Sequence, residues 1–297
     1  MKLVGLMLAR NEDWVIGLSA RVALLWCDAI VVLLHNCTDT TAEILETIRW
    51  ESELGRVIRR TCSSDHWEEM ALRQTMLEIA RGMDATHLAM IDADEVLTGD
   101  LLPTIRKHVD QLGPGEILQV PQLCTRETIS GPVVISSGMW ARQNTPIAFG
   151  DSHLYHWAAR DGYDHHQRNP LGIPYQPKMI HDDRSKGVMH LQFSSYRRLL
   201  AKQFLYQLTD RRRWPNQSTD LIRNRYAPTV NEACSGEVEL VPGSWWAPYS
   251  HLLKYLHVDR EPWQESECKR LLEQDPKLTA GLDDFGLMTE WGMEVAR

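Results

Sequence analysis

Short apolar runs separated by helical periodicity dominate the first hundred residues, and the feature that most constrains the fold is what stands at the end of each run. Leu3–Leu8 is apolar, and Glu12-Asp13 opens a helical stretch that places Val15, Leu18, Val22 and Leu25 on one face. Ala29–Leu34 is a second fully apolar run, the pattern of a strand buried on both faces. "HNCTDTTAEILETI" follows it as a polar turn and a helix from near Thr40. Arg56–Arg60 reads as a third strand, Asp65 and Glu68 have capping-box spacing before a helix to about Arg81, and Thr86–Ile91 reads as a fourth strand. Strand and helix in alternation predict parallel pairing, right-handed crossovers and helices on both faces. Open sheets of this kind bind ligands beyond the carboxyl ends of their strands. The clusters "ARNED", "HNCTD" and "DADE" all fall at such ends.

The third cluster lies in "HLAMIDADEVLTGD". Carboxylates are seldom buried unless paired or bound to metal. Alternation puts Asp92 and Asp94 on the same side of an extended chain, with Ala93 pointing away. A plain polar loop, with Thr98 or Asp100 capping the next helix, explains one such cluster equally well; the convergence of three at strand ends points to a site. Two carboxylates on one short loop are hard oxygen ligands suited to Mg²⁺ or Mn²⁺, ions that keep positions for water and substrate phosphates. The first turn, "LARNED", has no glycine for a dinucleotide fingerprint, and neither a phosphate-loop GK[ST] nor a GxSxG elbow occurs. A nucleotide bound here must be held by side chains and the metal.

After Gly113-Pro114-Gly115 the pattern changes. "EILQVPQLC" and "PVVIS" look like strands of a mixed sheet, and residues 150–187 predict long ordered loops over the site. "HLQFSSYRRLLAKQFLYQL" restores order: Ser194 or Ser195 caps a helix with Tyr196, Leu200, Phe204 and Leu208 along one face. The tail from Trp214 is turn-rich and aromatic, with a later helix around Glu265–Glu273. The expected division is a domain over 1–213, with a nucleotide-binding half (1–115) and an acceptor half (116–213), and an aromatic-rich extension over 214–297. At 297 residues the chain buries a substantial core, and its net charge of −8 argues against indiscriminate binding of polyanions by the whole surface. The amino-terminal apolar run is short for a signal peptide, and no stretch approaches the roughly 20 apolar residues of a spanning helix. The six cysteines show no CxxC spacing, which predicts thiols in a reducing cytoplasm.

The order "MLARNED", "HNCTDTT", "MIDADEVLT" resembles family 2 glycosyltransferases of the GT-A fold, well over the first 120 or so residues and more loosely through "GVMHLQFSSYRRLLAKQFLY". The resemblance implies a Rossmann-like, mostly parallel sheet flanked by helices, with a mixed-sheet acceptor half and a C-terminal helical and loop extension. It implies a nucleotide-diphosphate sugar as donor, with Mn²⁺ or Mg²⁺ joining the DxD carboxylates to the diphosphate. Transferred by position, Arg10, Asn11 and Glu12 would line the nucleoside pocket and Asn36 and Asp39 would meet the base. Asp92 and Asp94 would serve ribose and metal, Arg73 would approach base or phosphates, and His190 would complete the metal site, with His181 as its rival. Many relatives carry paired aspartates at the second strand end, where this chain has His35 and Asn36. Asparagine can accept from uracil N3–H and donate to O4, so the expectation is a UDP-linked donor. The catalytic base is open: Asp182 and Asp183 stand at about the expected distance after DxD, with Asp151 and Glu127 as competitors.

The acceptor is not readable and spans three classes: carbohydrate, small molecule, or a hydroxylated base in DNA. From Arg184 to Arg225 the chain carries ten Lys or Arg and only two acidic residues, including "TDRRRWPNQ", a basic run beside an aromatic. Two alternatives remain. A sugar-nucleotide nucleotidyltransferase shares this sheet but should show a glycine-rich first loop. A non-catalytic carbohydrate- or nucleic-acid-binding module would explain the eleven tryptophans but not the intact DAD.

Overall fold

The computed structural model describes residues 1–297 except 53–55, 64–66, 159–167, 173–175, 181–183 and 294–297. In chain order the amino-terminal elements are β1 (Leu3–Ala9), α1 (Ile16–Ala23), β2 (Ala29–His35), α2 (Thr41–Glu51), β3 (Val57–Cys62), α3 (Glu69–Arg81), β4 (His87–Asp92), β5 (Glu95–Leu97) and α4 (Leu102–Asp110). There follow β6 (Glu116–Thr128), β7 (Gly131–Ile135), β8 (Asn144–Gly150), β9 (Gln176–Met179), β10 (Val188–His190), α5 (Tyr196–Arg213), α6 (Thr219–Ser235), β11 (Val238–Leu240) and α7 (Trp263–Gln274). The chain forms two compact units: Met1–Leu123 with Gln143–His190 and Pro242–His257, and Cys124–Arg142 with Leu191–Val241 and Val258–Arg297.

In the first unit the strand order is β6-β8-β4-β1-β2-β3. The four strands β4, β1, β2 and β3 are parallel, as the strand–helix alternation predicts; β8 joins antiparallel to β4 and to β6. Every residue of β1 and β2 is buried, which is why both read as continuous apolar runs. Successive side chains of β1 serve opposite faces: Leu3, Met7 and Ala9 pack with residues of α1, α2 and α4, and Val4, Leu6 and Leu8 with residues of α3. At Gly5 an added Cβ would stand 3.0 Å from Ile30 and 3.1 Å from Ile91, so close strand–core packing explains the one gap in the apolar run. The architecture is the helix-flanked, Rossmann-like sheet expected for a GT-A-type fold, with its mixed portion in β6, β8 and β5–β10.

In the second unit β7 pairs with the end of β6 and with β11, and α5, α6 and α7 carry the core. Ser195 caps α5 by accepting from Arg198 N, and Leu200, Phe204 and Leu208 are buried; Tyr196, expected on that face, is exposed. Among the described residues no helix is long and apolar enough to cross a membrane. The six cysteines form no disulfide.

Several expected boundaries move. α1 begins at Ile16 because residues 12–15 form a turn in which Val15 N and Ile16 N both donate to Glu12 O, and Leu25, past its end, is exposed. Neither Thr98 nor Asp100 caps α4; Thr98 Oγ1 instead accepts from Gly187 N at 3.1 Å. Asp65 lies outside the described residues, and Glu68 occupies the N-cap of α3 without a side-chain bond. The turn-rich reading after Trp214 is corrected by α6, a 17-residue helix capped by Ser218 and continuing through Pro228. Its buried positions, Ile222, Tyr226, Thr229, Val230 and Ala233, keep helical spacing in spite of the proline.

Candidate functional site

The strand ends of β1, β2 and β4 lie side by side, since Leu8 pairs with Asp92 and Ala9 with Leu34. The loops leaving β1 and β2 turn through Asn11 (φ 54°) and Asn36 (φ 46°), left-handed conformations that asparagine adopts more readily than most residues. They are bonded to one another. Asn11 Oδ1 accepts from Thr38 N at 2.7 Å, and Asp39 accepts from Asp13 N and from Thr41 N, each at 3.0 Å. Glu12 N donates to Thr41 Oγ1 at 2.9 Å, and Trp14 Nε1 donates to Glu12 at 2.7 Å. Asn11 and Asp39 are thus engaged in holding the two loops together. Arg10, Glu12 and Asn36 are partly exposed along this edge, whereas His35 is buried with its ring edge-to-face with Trp67 at 5.1 Å.

Asp92 closes β4, and both of its oxygens are bonded: Oδ1 to Arg73 at 3.1 Å and Oδ2 to Arg168 at 3.0 Å. Arg73 also donates through Nε to Glu69 at 2.8 Å, one helical turn back on α3. Burial pushes the Asp92 carboxyl up, but Arg168 and Arg73 outweigh it and hold the group below the ordinary aspartate range. Asp92 is therefore a carboxylate at neutral pH.

Asp94, two residues on, is buried and faces the opposite partner: its Oδ2 lies 3.5 Å from His190 Nε2. β10 delivers this imidazole by pairing antiparallel with β5, so that His190 stands across from Glu95. On its other side the ring meets Gln122, with Nδ1 2.7 Å from the amide nitrogen. Turned one way the amide donates to Nδ1; turned the other it accepts an Nδ1 proton and leaves the Nε2 lone pair facing Asp94. The second arrangement is the one a metal-binding imidazole requires. If this imidazole binds Mn²⁺, Gln122→Ala is expected to weaken that binding about tenfold with the fold unchanged, measured by calorimetry on both proteins. Unaltered affinity would remove Gln122 from the site.

Of the competing base positions, Asp151 accepts from Arg81 at both oxygens, 2.9 Å each, and the same guanidinium reaches Ser152 O and Tyr155 O. Its role is to tie the chain after β8 to α3. Asp151→Asn should cost about 2 kcal/mol in urea unfolding and leave turnover per folded molecule at the wild-type level. Glu127, on the outer part of β6 in the second unit, has its carboxyl raised by burial. His181, Asp182 and Asp183 lie outside the described residues.

Much of the basic run from Arg184 to Arg225 has internal partners. Arg184 binds the backbone of Gln122 and Gln143, Arg197 binds Glu265, Arg225 binds Asp210, and Arg211 donates to Thr219. Arg212, Arg213 and Arg223 are exposed, and Arg213 lies 5.2 Å from the ring of Trp214. Three residues that the sequence reading did not assign complete the site: Glu95, Arg168 and Gln122. Among the described residues no group of three His, Cys, Asp or Glu side chains is arranged to hold an ion unaided.

No family model matches the sequence, and no curated protein is similar to it. Solved structures match over part of the chain. A mycobacterial protein matches at 17% identity and a TM-score of 0.28 over 42% of this chain, which spans 41% of that protein's length. A 4-diphosphocytidyl-2C-methyl-D-erythritol synthase matches at 19% identity and a TM-score of 0.31, over 50% of this chain and 75% of the other. The synthase of that name from Anaerococcus prevotii DSM 20548 matches at 10% identity and 0.30, over 50% and 69%. Likeness at this level assigns no activity.

Proposed function

We propose that the chain is a metal-dependent glycosyltransferase using a nucleotide-diphosphate sugar, UDP-linked, with Mn²⁺ or Mg²⁺ bound by Asp94 and His190. The observation that carries this reading is the pairing of Asp94 with His190 at 3.5 Å, just past the end of the parallel strand β4 and two residues from an ionised Asp92. A carboxylate and an imidazole brought this close would hold such an ion, since oxygen and nitrogen donors of these kinds suit Mn²⁺ and, for the carboxylate, Mg²⁺. A site with two protein donors leaves the remaining positions to diphosphate oxygens and water, the usual habit of Mg²⁺ and of Mn²⁺. Charge agrees. Glu69, Asp92 and Glu95 pair with the guanidiniums of Arg73 and Arg168 while Asp94 stands beside His190, so the four carboxylates carry a formal excess of two negative charges that one divalent ion would neutralise.

When bound, the ion supplies charge neutralisation for the departing diphosphate. The chain's own groups do the rest. Asp92, fixed by two arginines, presents carboxylate lone pairs to the donor's hydroxyls. Asn36 reads the pyrimidine edge, with Arg10 and Glu12 flanking the nucleoside, while Asn11 and Asp39 keep that edge in shape. Asp182 or Asp183 would take the acceptor's proton. The acceptor is a carbohydrate, a small molecule or a hydroxylated base in DNA.

The nucleotidyltransferase alternative needs a first loop whose backbone N–H groups cradle phosphates. Here the N–H groups of Asn11, Glu12 and Asp13 are already donated to Cys37, Thr41 and Asp39. A hydrolysis screen over UDP-, GDP- and dTDP-sugars with several metals tests the proposal. Metal-dependent release of UDP is expected; pyrophosphate release from a nucleoside triphosphate with a sugar phosphate would establish the alternative instead.

A further inference from the structure

Arg168 lies between the carboxylates of Asp92 and Glu95. Its guanidinium has five N–H donors, and all are engaged. Nε donates to Pro146 O at 2.7 Å, and Nη1 to Asp92 Oδ2 at 3.0 Å and Glu95 Oε1 at 2.8 Å. Nη2 donates to Met90 O at 2.7 Å and to Glu95 Oε2 at 2.6 Å. Glu95 is almost wholly buried, its Oε2 also accepts from Asp92 N at 3.1 Å, and no other cation is recorded against it among the described residues. With no donor left for a ligand, Arg168 is not a phosphate-binding arginine. What it does is fill the space between Asp92 and Glu95 with a positive charge belonging to the protein.

We propose that Arg168 is a positioning residue that holds the seat between Asp92 and Glu95 against divalent ions and so directs the metal to Asp94 and His190. Three carboxylates occur within four consecutive residues, and two of them converge on one point in space. Without the guanidinium those two are a bidentate and a monodentate oxygen ligand for Mn²⁺, the bidentate one almost wholly buried. A mobile ion there would be bound more tightly and be of no use. A fixed planar fork matches the carboxylate of Glu95 in geometry and cannot be exchanged, which a water-coordinated ion would not achieve. The inference rests on the metal reading only for the destination of the ion; the blocked seat is a property of Arg168, Asp92 and Glu95.

The test is Mn²⁺ binding without nucleotide, followed by the electron paramagnetic resonance of the free ion, in the wild type, Arg168→Ala, Arg168→Gln and Arg168→Lys. Each is also combined with Asp94→Ala, with circular dichroism as the check on folding. Removing the guanidinium should tighten Mn²⁺ binding about tenfold or add a second ion, and the gain should survive Asp94→Ala. Arg168→Lys, which keeps a charge in the seat, should behave as the wild type. Unchanged stoichiometry and affinity in the two neutral variants would overturn the proposal. So would their failure to fold, because Arg168 would then be a stability residue. A wild type that binds no Mn²⁺, with a neutral variant that does, would contradict the proposed function while supporting the blocked seat.

Discussion

Asp94→Asn should lower metal-dependent donor turnover by about 10²–10³-fold while leaving the fold in place. The amide is nearly isosteric and retains an oxygen for His190, but it carries no charge with which to neutralise a divalent ion, and the bridge to the diphosphate weakens. Stability should not suffer, since Asp94 shares its loop with Asp92 and Glu95 and removing one of three neighbouring carboxylates relieves repulsion. The melting temperature without metal should therefore match the wild type. Near-normal turnover in a folded Asp94→Asn protein would remove the metal site from the mechanism.

Arg73→Met should have the opposite profile and cost about 3–4 kcal/mol of folding free energy, the usual penalty for removing one member of a buried ion pair. Arg73 is buried on α3 between Glu69 and Asp92, 2.8 and 3.1 Å away, and Glu69 has little access to water. Methionine fills the volume but takes the guanidinium away from the buried Glu69 carboxyl and from one oxygen of Asp92. Urea denaturation of Arg73→Met and of Arg73→Met/Glu69→Gln separates the causes: the double variant should recover at least half of the loss. A deficit under about 1 kcal/mol in the single variant would mean that the pair is solvated and does not anchor Asp92.

The sheet was legible because its central strands are buried on both faces, and such strands are uninterrupted in sequence: β1 and β2 carry no polar residue before their last positions. The location of the site followed from chain order, since every cluster that ends a parallel strand must lie on the same edge. What was hidden has identifiable causes. β8 carries Pro146 and lies between β4 and β6, so neither a turn signal nor a clean alternation marked it. Pro228 concealed α6 in the same way. Arg168 comes from an aperiodic stretch rich in Asp, His and Arg, in which no spacing rule singles out the residue that meets Asp92 from 76 positions away. Gln122 and Glu95 did leave a signal. Each is a polar residue bordering an apolar strand, and a buried amide or carboxylate must find a partner. Asn11 and Asp39 show how one pattern carries two meanings. Residues at the right strand ends looked like ligand contacts, yet an asparagine with left-handed φ and an aspartate preceding "TT" are also the means by which loops bond to themselves.

The proposal that Asp94 and His190 hold a metal for a nucleotide diphosphate is tested most directly by calorimetric titration of UDP into the protein with Mn²⁺ and with chelator. Binding at least ~30-fold tighter with Mn²⁺, with the enhancement absent for uridine and absent in His190→Ala, is the predicted result. Equal affinity for UDP in the two buffers, or uridine bound as well as UDP, would contradict it.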